Sequence, residues 1–163
     1  MFIPSYYVYT DGSSKGNPGP GGYGIIIENI KNKIIKKISE GYYYTTNNRM
    51  ELLSVIVSLE EIKKISKKKK EKILIFSDSK YVINPIIKNW INLWKKNFFK
   101  KRKNFDLWIR FLKIYEKKNV NFKWIKGHKN EKNIICHNLA ISSYKEKNKL
   151  KKDFFFQKIN NNF

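Results

Sequence analysis

Acidic residues are scarce in this sequence. Thirteen aspartates and glutamates, only four of them aspartate, stand against 35 lysines and arginines, for a formal net charge of +22. Such a field favours a polyanion as partner, either nucleic acid or an anionic membrane surface. Charge alone is weak evidence. Lys, Asn, Ile, Phe and Tyr are all abundant, as an AT-rich genome favours, and lysines on solvated faces need no partner. Cysteine is nearly absent. The single Cys136 excludes an internal disulfide and fits a reducing compartment. It reads as a small buried apolar residue rather than a nucleophile. No uncharged apolar run approaches membrane-spanning length. The beginning, MFIPSYYVYTDG, lacks the basic end and long apolar core of a secretory signal. A cytoplasmic protein is expected. There is no internal repeat and no linker, so 163 residues, 41% hydrophobic and 15% aromatic, are read as one globular domain with one sizeable core. The tail from about residue 151 is expected to fray unless its phenylalanines dock.

The chain begins with strand patterns. SYYVYT predicts a strand ending at Asp11, followed by a loop rich in glycine and proline. GGYGIIIENI and KIIKKISEGYYY predict two more strands, joined by a turn near Lys31–Lys33. Three short consecutive strands suggest an antiparallel meander. NNRMELLSVIVSLEEIKKI then changes to a helical period, with Asn47 or Asn48 as its cap. KILIFSDS is a short continuous apolar run, as in a buried parallel strand. The next stretch reads as helix, broken near Asn84 because Pro85 disfavours the helical region before it. FDLWIRFLKIYEKK is a helix with Asp106 as a candidate N-cap, VNFKWIKGH a strand, and NIICHNLAISSYKEK a closing helix. The order is that of an α/β protein with an antiparallel and a parallel part in one sheet.

The acids fall at telling places on this map. Asp11 and Asp78 each end a strand, and ligands bind at the carboxyl ends of parallel strands in open α/β sheets. Glu51 is a lone charge inside RMELLSVIVSL. Taken singly, each has a bland reading: an Asp that starts a turn, a Glu that faces water. Together they form a set of carboxylates that resist ionising side by side. A hard divalent cation among them, Mg²⁺ or Mn²⁺, removes that objection.

The words around these acids carry a resemblance. YTDGSSKGNPGPGGYG, TTNNRMELL, SDSKYV and WIKGH, with NWINLWKK, NFDLW and a closing Cys-x-x-Leu-Ala helix, resemble the bacterial type 1 ribonuclease H family over Tyr6 to about Ser143. The resemblance implies a ribonuclease H-like fold, one five-stranded mixed sheet flanked by helices. It implies hydrolysis of the RNA strand of an RNA–DNA hybrid to 5′-phosphate and 3′-hydroxyl ends. Asp11, Glu51 and Asp78 match the family's metal-binding carboxylates, and two metals about 4 Å apart suit such chemistry. Mg²⁺ is the expected cofactor, with Mn²⁺ able to substitute. His128 matches the family's mobile catalytic histidine, and a histidine titrates in the range a proton shuttle needs.

The hybrid itself is the implied partner, bound by a monomer. Asn17, Asn47 and Asn48 match minor-groove contacts, where an amide can both donate to and accept from a 2′-hydroxyl. Capping and turn formation are the bland roles for the same residues. Thr46, Arg49 and Asn104 resemble a pocket for a DNA-strand phosphate, and Lys80 stands where relatives often carry an amide. NWINLWKKNFFKKRKNF resembles the family's basic protrusion, with phosphate contacts from Lys95, Lys96 and the run Lys100–Lys103. Trp90 and Trp94, four apart on one helical face, serve either sugar contact or core packing.

One position departs from the pattern. Where bacterial relatives carry a fourth carboxylate after the last cysteine, this chain has His137, next to a loop about one residue short. An imidazole there stands in through a nitrogen, suiting Mn²⁺ better than Mg²⁺, or as a cation competes with the metal or pairs with Asp11, or simply packs or points to water. Two other classes stay open: a non-catalytic nucleic-acid-binding module derived from this family, and a DNA nuclease of the same broad fold. The intact acids and His128 speak against the first, and TTNNRM against the second.

Overall fold

The expected five-stranded mixed sheet is present in a computed structural model of the chain, which describes residues 3–66, 71–127 and 129–160. Its central strand is β1 (Tyr6–Ser14). To one side lie β2 (Gly19–Asn29), antiparallel to β1, and β3 (Ile35–Thr45), antiparallel to β2. To the other lie β4 (Lys72–Ser77) and β5 (Asn119–Trp124), both parallel, giving the order β3-β2-β1-β4-β5. α1 (Asn47–Ile65) and α4 (Phe105–Tyr115) pack together, and α1 lies across β1 and β2. α5 (Glu131–Lys145) covers β1 to β3. Val8, Ile25, Ile73 and Ile75 from the sheet meet Leu52, Ile56, Leu59 and Phe111 from the helices in a dry core. Each such side chain contributes about 1.5–3 kcal/mol on burial. Among the described residues, no helix is long and apolar enough to cross a membrane.

Four local expectations are corrected. First, β1 does not stop at Asp11. It runs on to Ser14: Gly12–Ser14, expected as loop, are extended and pair with Gly21–Tyr23, the beginning of the expected second strand. Second, the cap of α1 is Thr46, whose hydroxyl accepts the Arg49 N–H at 3.3 Å, rather than Asn47 or Asn48. Third, Pro85 lies inside α2 (Lys80–Ile87) without breaking it at Asn84. The amide of Lys88 still reaches the Asn84 carbonyl, and Pro85 is buried beside Val82 and Ile83, so packing outweighs the local preference. The break comes at Asn89, which has a left-handed φ of 58° and starts α3 (Trp90–Lys96). Fourth, Asn104 occupies the cap position of α4, and Asp106 lies in its first turn, turned to Arg49.

The tail docks. Lys151 bridges to Tyr42 on β3, and α6 (Phe154–Asn160) follows with Phe156 buried. Asp153, just before α6, reaches the start of α1.

Candidate active site

Asp11 lies opposite Gly24 in the middle of the β1–β2 ladder. Two glycines allow a helix to approach from each side of it. A Cβ on Gly12 would lie 2.3 Å from the Glu51 amide nitrogen, so the first turns of α1 rest on the β1 backbone. A Cβ on Gly24 would lie 2.0 Å from the Cys136 carbonyl, so α5 rests on β2. No real side chain tolerates either distance. Glu51 thereby reaches Asp11 from α1, and His137 reaches it from α5. Asp78 follows β4, the parallel neighbour of β1. Ligand oxygens of Asp11, Glu51 and Asp78 all lie within 4.8 Å of one another.

The cluster is electrostatically costly. Asp11 Oδ1 accepts the Gly12 N–H at 3.0 Å, and Oδ2 lies 2.8 Å from His137 Nδ1. Even so, burial and the nearby Asp78 push the Asp11 carboxyl up to about 6. Burial, then Asp11 and Asp78, push Glu51 well above the ordinary carboxylate range. Glu51 Oε2 is buried without a hydrogen-bond partner. An orphaned buried acceptor is a penalty that folds avoid unless something else is served. Three carboxylates offering oxygens at this spacing fit a hard divalent cation.

The other candidates are distributed as follows. His128 lies outside the described residues. Asn17 accepts the Asn47 N–H at 3.1 Å, which ties the β1–β2 turn to the start of α1, and Asn48 is exposed beside it. Arg49 is not available to a phosphate. All five of its donors are engaged: Nε and Nη2 with Asp153 at 2.6 and 2.8 Å, Nη1 and Nη2 with Asp106 at 2.9 and 2.7 Å, and Nη1 also with Asn104 at 3.3 Å. The rings of Phe155 and Phe156 flank its guanidinium. Thr46 caps α1, and the Asn104 amide donates to the Tyr81 hydroxyl at 2.9 Å. Lys80, Trp90 and Trp94 line a groove of about 470 Å³ with Lys101, Arg102 and Lys103. The two tryptophans differ. Trp94 packs edge-on against Trp108 at 5.4 Å with Arg102 over its ring, whereas Trp90 is 40% exposed under Lys88.

Trp124 was not among the residues that the sequence singled out, yet its indole N–H donates to the Asp78 carbonyl at 3.1 Å. Its position in the WIKGH word was the available signal.

A mixed α/β sheet whose central strands and first helix bring together three carboxylates that could hold a metal ion, near a groove lined by cations and tryptophans, is the class of architecture found here. The family profile RNase H matches residues 4–145. The chain is 44% identical over 160 residues to Ribonuclease H of Wigglesworthia glossinidia brevipalpis, covering 94% of this chain and 96% of that one. It is 38% identical over 146 residues to Ribonuclease HI of Synechocystis sp., covering 86% and 88%. LC9-RNase H1, a type 1 RNase H with the type 2 active-site motif, superposes with a TM-score of 0.76 at 26% identity, over 88% of this chain and 74% of that one. LC11-RNase H1, solved in complex with RNA/DNA hybrid, superposes at 0.65 and 25% identity, over 86% and 97%. This chain belongs to the ribonuclease H family.

Proposed function

We propose that this chain is a metal-dependent endonuclease that hydrolyses the RNA strand of RNA–DNA hybrids to 5′-phosphate and 3′-hydroxyl ends. It acts as a cytoplasmic monomer, with Mg²⁺ as its usual ion and Mn²⁺ as a substitute. The observation that carries the reading is the meeting of Asp11, Glu51 and Asp78 within 4.8 Å, with a partnerless oxygen on Glu51. These three residues would hold the ions. When bound, the ions supply water activation on one side of the scissile phosphate and stabilisation of the leaving oxygen on the other.

The chain's own groups do the rest. His137 holds one oxygen of Asp11 and so orients that carboxylate. Asn17, Asn47 and Asn48 border the site and offer amides to the 2′-hydroxyls that mark the RNA strand. The groove of Trp90, Lys101, Arg102 and Lys103 takes the sugar–phosphate backbone of the DNA strand, without sequence preference. His128 moves a proton near the leaving group.

The test is cleavage of matched RNA–DNA, RNA–RNA and DNA–DNA duplexes with and without Mg²⁺. Cleavage of the hybrid alone, requiring the ion, is the expected result. Binding of the hybrid with no cleavage would favour a non-catalytic module, and cleavage of the DNA duplex a DNA nuclease. Hybrid affinity should also fall steeply with salt. Neutralising Lys100, Lys101, Arg102 and Lys103 together should flatten the log–log slope by about 0.9 for each phosphate that the protein no longer neutralises.

A further inference from the structure

Asp78 stands between β4 and α2, outside the regular hydrogen bonding of either. Its surroundings come from a segment distant in the chain. Trp124, the last residue of β5, donates its indole N–H to the Asp78 carbonyl at 3.1 Å. Ile125 then donates its amide to the Ser77 carbonyl at 3.0 Å, which extends the β4–β5 pairing by one step. Gly127 closes on the acid itself: a Cβ there would lie 2.5 Å from Asp78 Oδ2. One short segment thus contacts Asp78 at both its carbonyl and its carboxylate. The Trp124 ring also lies under the Lys80 ammonium, 5.6 Å from its centroid. That places the cation two residues after Asp78 against an aromatic face. Trp124 is 45% exposed, more than core packing would leave open.

We infer that Trp124 is a positioning residue for the metal site, its N–H setting the backbone of Asp78 and hence the direction in which that carboxylate offers its oxygens. A peptide that rotates about its neighbours swings the Cα–Cβ bond with it, and an indole anchored in β5 opposes that rotation. Residues that orient ligands in this way typically govern affinity, because an ion binds the arrangement and not the separate groups.

The inference rests on the metal reading of Asp11, Glu51 and Asp78, and the experiment separates the two. Mg²⁺ binding is measured without nucleic acid, by calorimetry and by the ion-induced rise in Tm, for the full chain and for Trp124→Phe, Trp124→Ala and Gly127→Ala. Trp124→Phe keeps an aromatic ring and loses the N–H. It should need about 10–100-fold more Mg²⁺ for half-saturation, with the Tm of the metal-free protein and the KM for hybrid close to those of the parent. Gly127→Ala, which crowds the carboxylate directly, should weaken Mg²⁺ binding in the same way. Trp124→Phe that binds Mg²⁺ like the parent overturns the inference. So does a rise in KM for hybrid with unchanged Mg²⁺ binding, which would make the ring a substrate contact. A Trp124→Phe protein unfolded without metal overturns it as well, since the residue would then be structural. A parent chain that shows no Mg²⁺ binding at all removes the metal reading, and this inference with it.

Discussion

Two clusters of buried and half-buried carboxylates begin on the same helix, two residues apart. At Arg49, Asp106 and Asp153 surround a guanidinium whose five donors are all engaged. At Glu51, Asp11 and Asp78 converge on a glutamate with one oxygen unpartnered. Among the described residues, neither Asp11 nor Glu51 is paired with a lysine or arginine. The chain has four aspartates, and each cluster takes two of them. The first cluster joins α1, α4 and the tail, and its charges compensate one another. The second gathers like charges at the sheet centre, with His137 on one oxygen of Asp11. The first arrangement is that of a structural ion pair; the second is one that could hold a metal ion.

The comparison breaks first at Arg49. Arg49→Ala leaves Asp106 and Asp153 facing each other without their counter-charge. Loss of one partner of a buried pair costs about 3–5 kcal/mol. Urea unfolding should show a loss of that order, with the tail released. A loss below about 1 kcal/mol would mean that the pairing is no stronger than a surface salt bridge.

Glu51→Gln probes the other cluster and should do the reverse. Mg²⁺-dependent cleavage should fall by more than about 100-fold, the upper range seen when outer-shell partners of metal ligands are removed. Urea unfolding of the metal-free protein should show no loss of stability, because a repelled carboxylate has been neutralised. Retained cleavage would end the metal assignment for this residue.

Asp11→Asn sharpens the contrast through pH. The folded-state value of about 6 lies above the ordinary 3.8, so folding disfavours the charged form. Below about pH 4 the group is protonated whether folded or unfolded and carries no penalty. Above about pH 6 it is charged in both, and the folded state bears the full penalty. The metal-free parent should therefore lose stability relative to Asp11→Asn as pH rises from about 4 to about 6, by on the order of 2 kcal/mol. Thermal unfolding of both proteins across that range checks it. A constant difference would show that neither burial nor the neighbouring Asp78 raises the Asp11 carboxyl, and saturating Mg²⁺ should remove the parent's deficit.

Much of this was legible in the linear order of residues. Strand and helix periods gave the element sequence. The words TDG, RMELL and SDS marked three acids, one on a helix, one after β4 and one on β1, which runs on past Asp11 to Ser14, and a sequence with so few acids made them conspicuous. What could not be read was which distant group each side chain would meet. Arg49 carried the signature of a phosphate contact, and its actual partner Asp153 lies 104 residues away in a tail expected to fray. The stretch after Asp11 had loop composition, but Gly12–Ser14 are strand because they pair with Gly21–Tyr23, and α5 comes to rest on Gly24 because a bare backbone admits the helix. Pro85 opposed its helix and was overruled by burial.

By itself, then, the sequence determined the α/β order, the three carboxylates and the basic, tryptophan-bearing segment, because periodicity and residue type act over a few neighbours. Tertiary structure alone decided that Gly12 and Gly24 bring two helices against Asp11, that Arg49 is consumed by Asp106 and Asp153, and that Trp124 reaches back 46 residues to the Asp78 carbonyl. Those outcomes depend on strand order and close approach between segments remote in the chain, and the energy that selects them is that of packing and long-range pairing, which no local propensity contains.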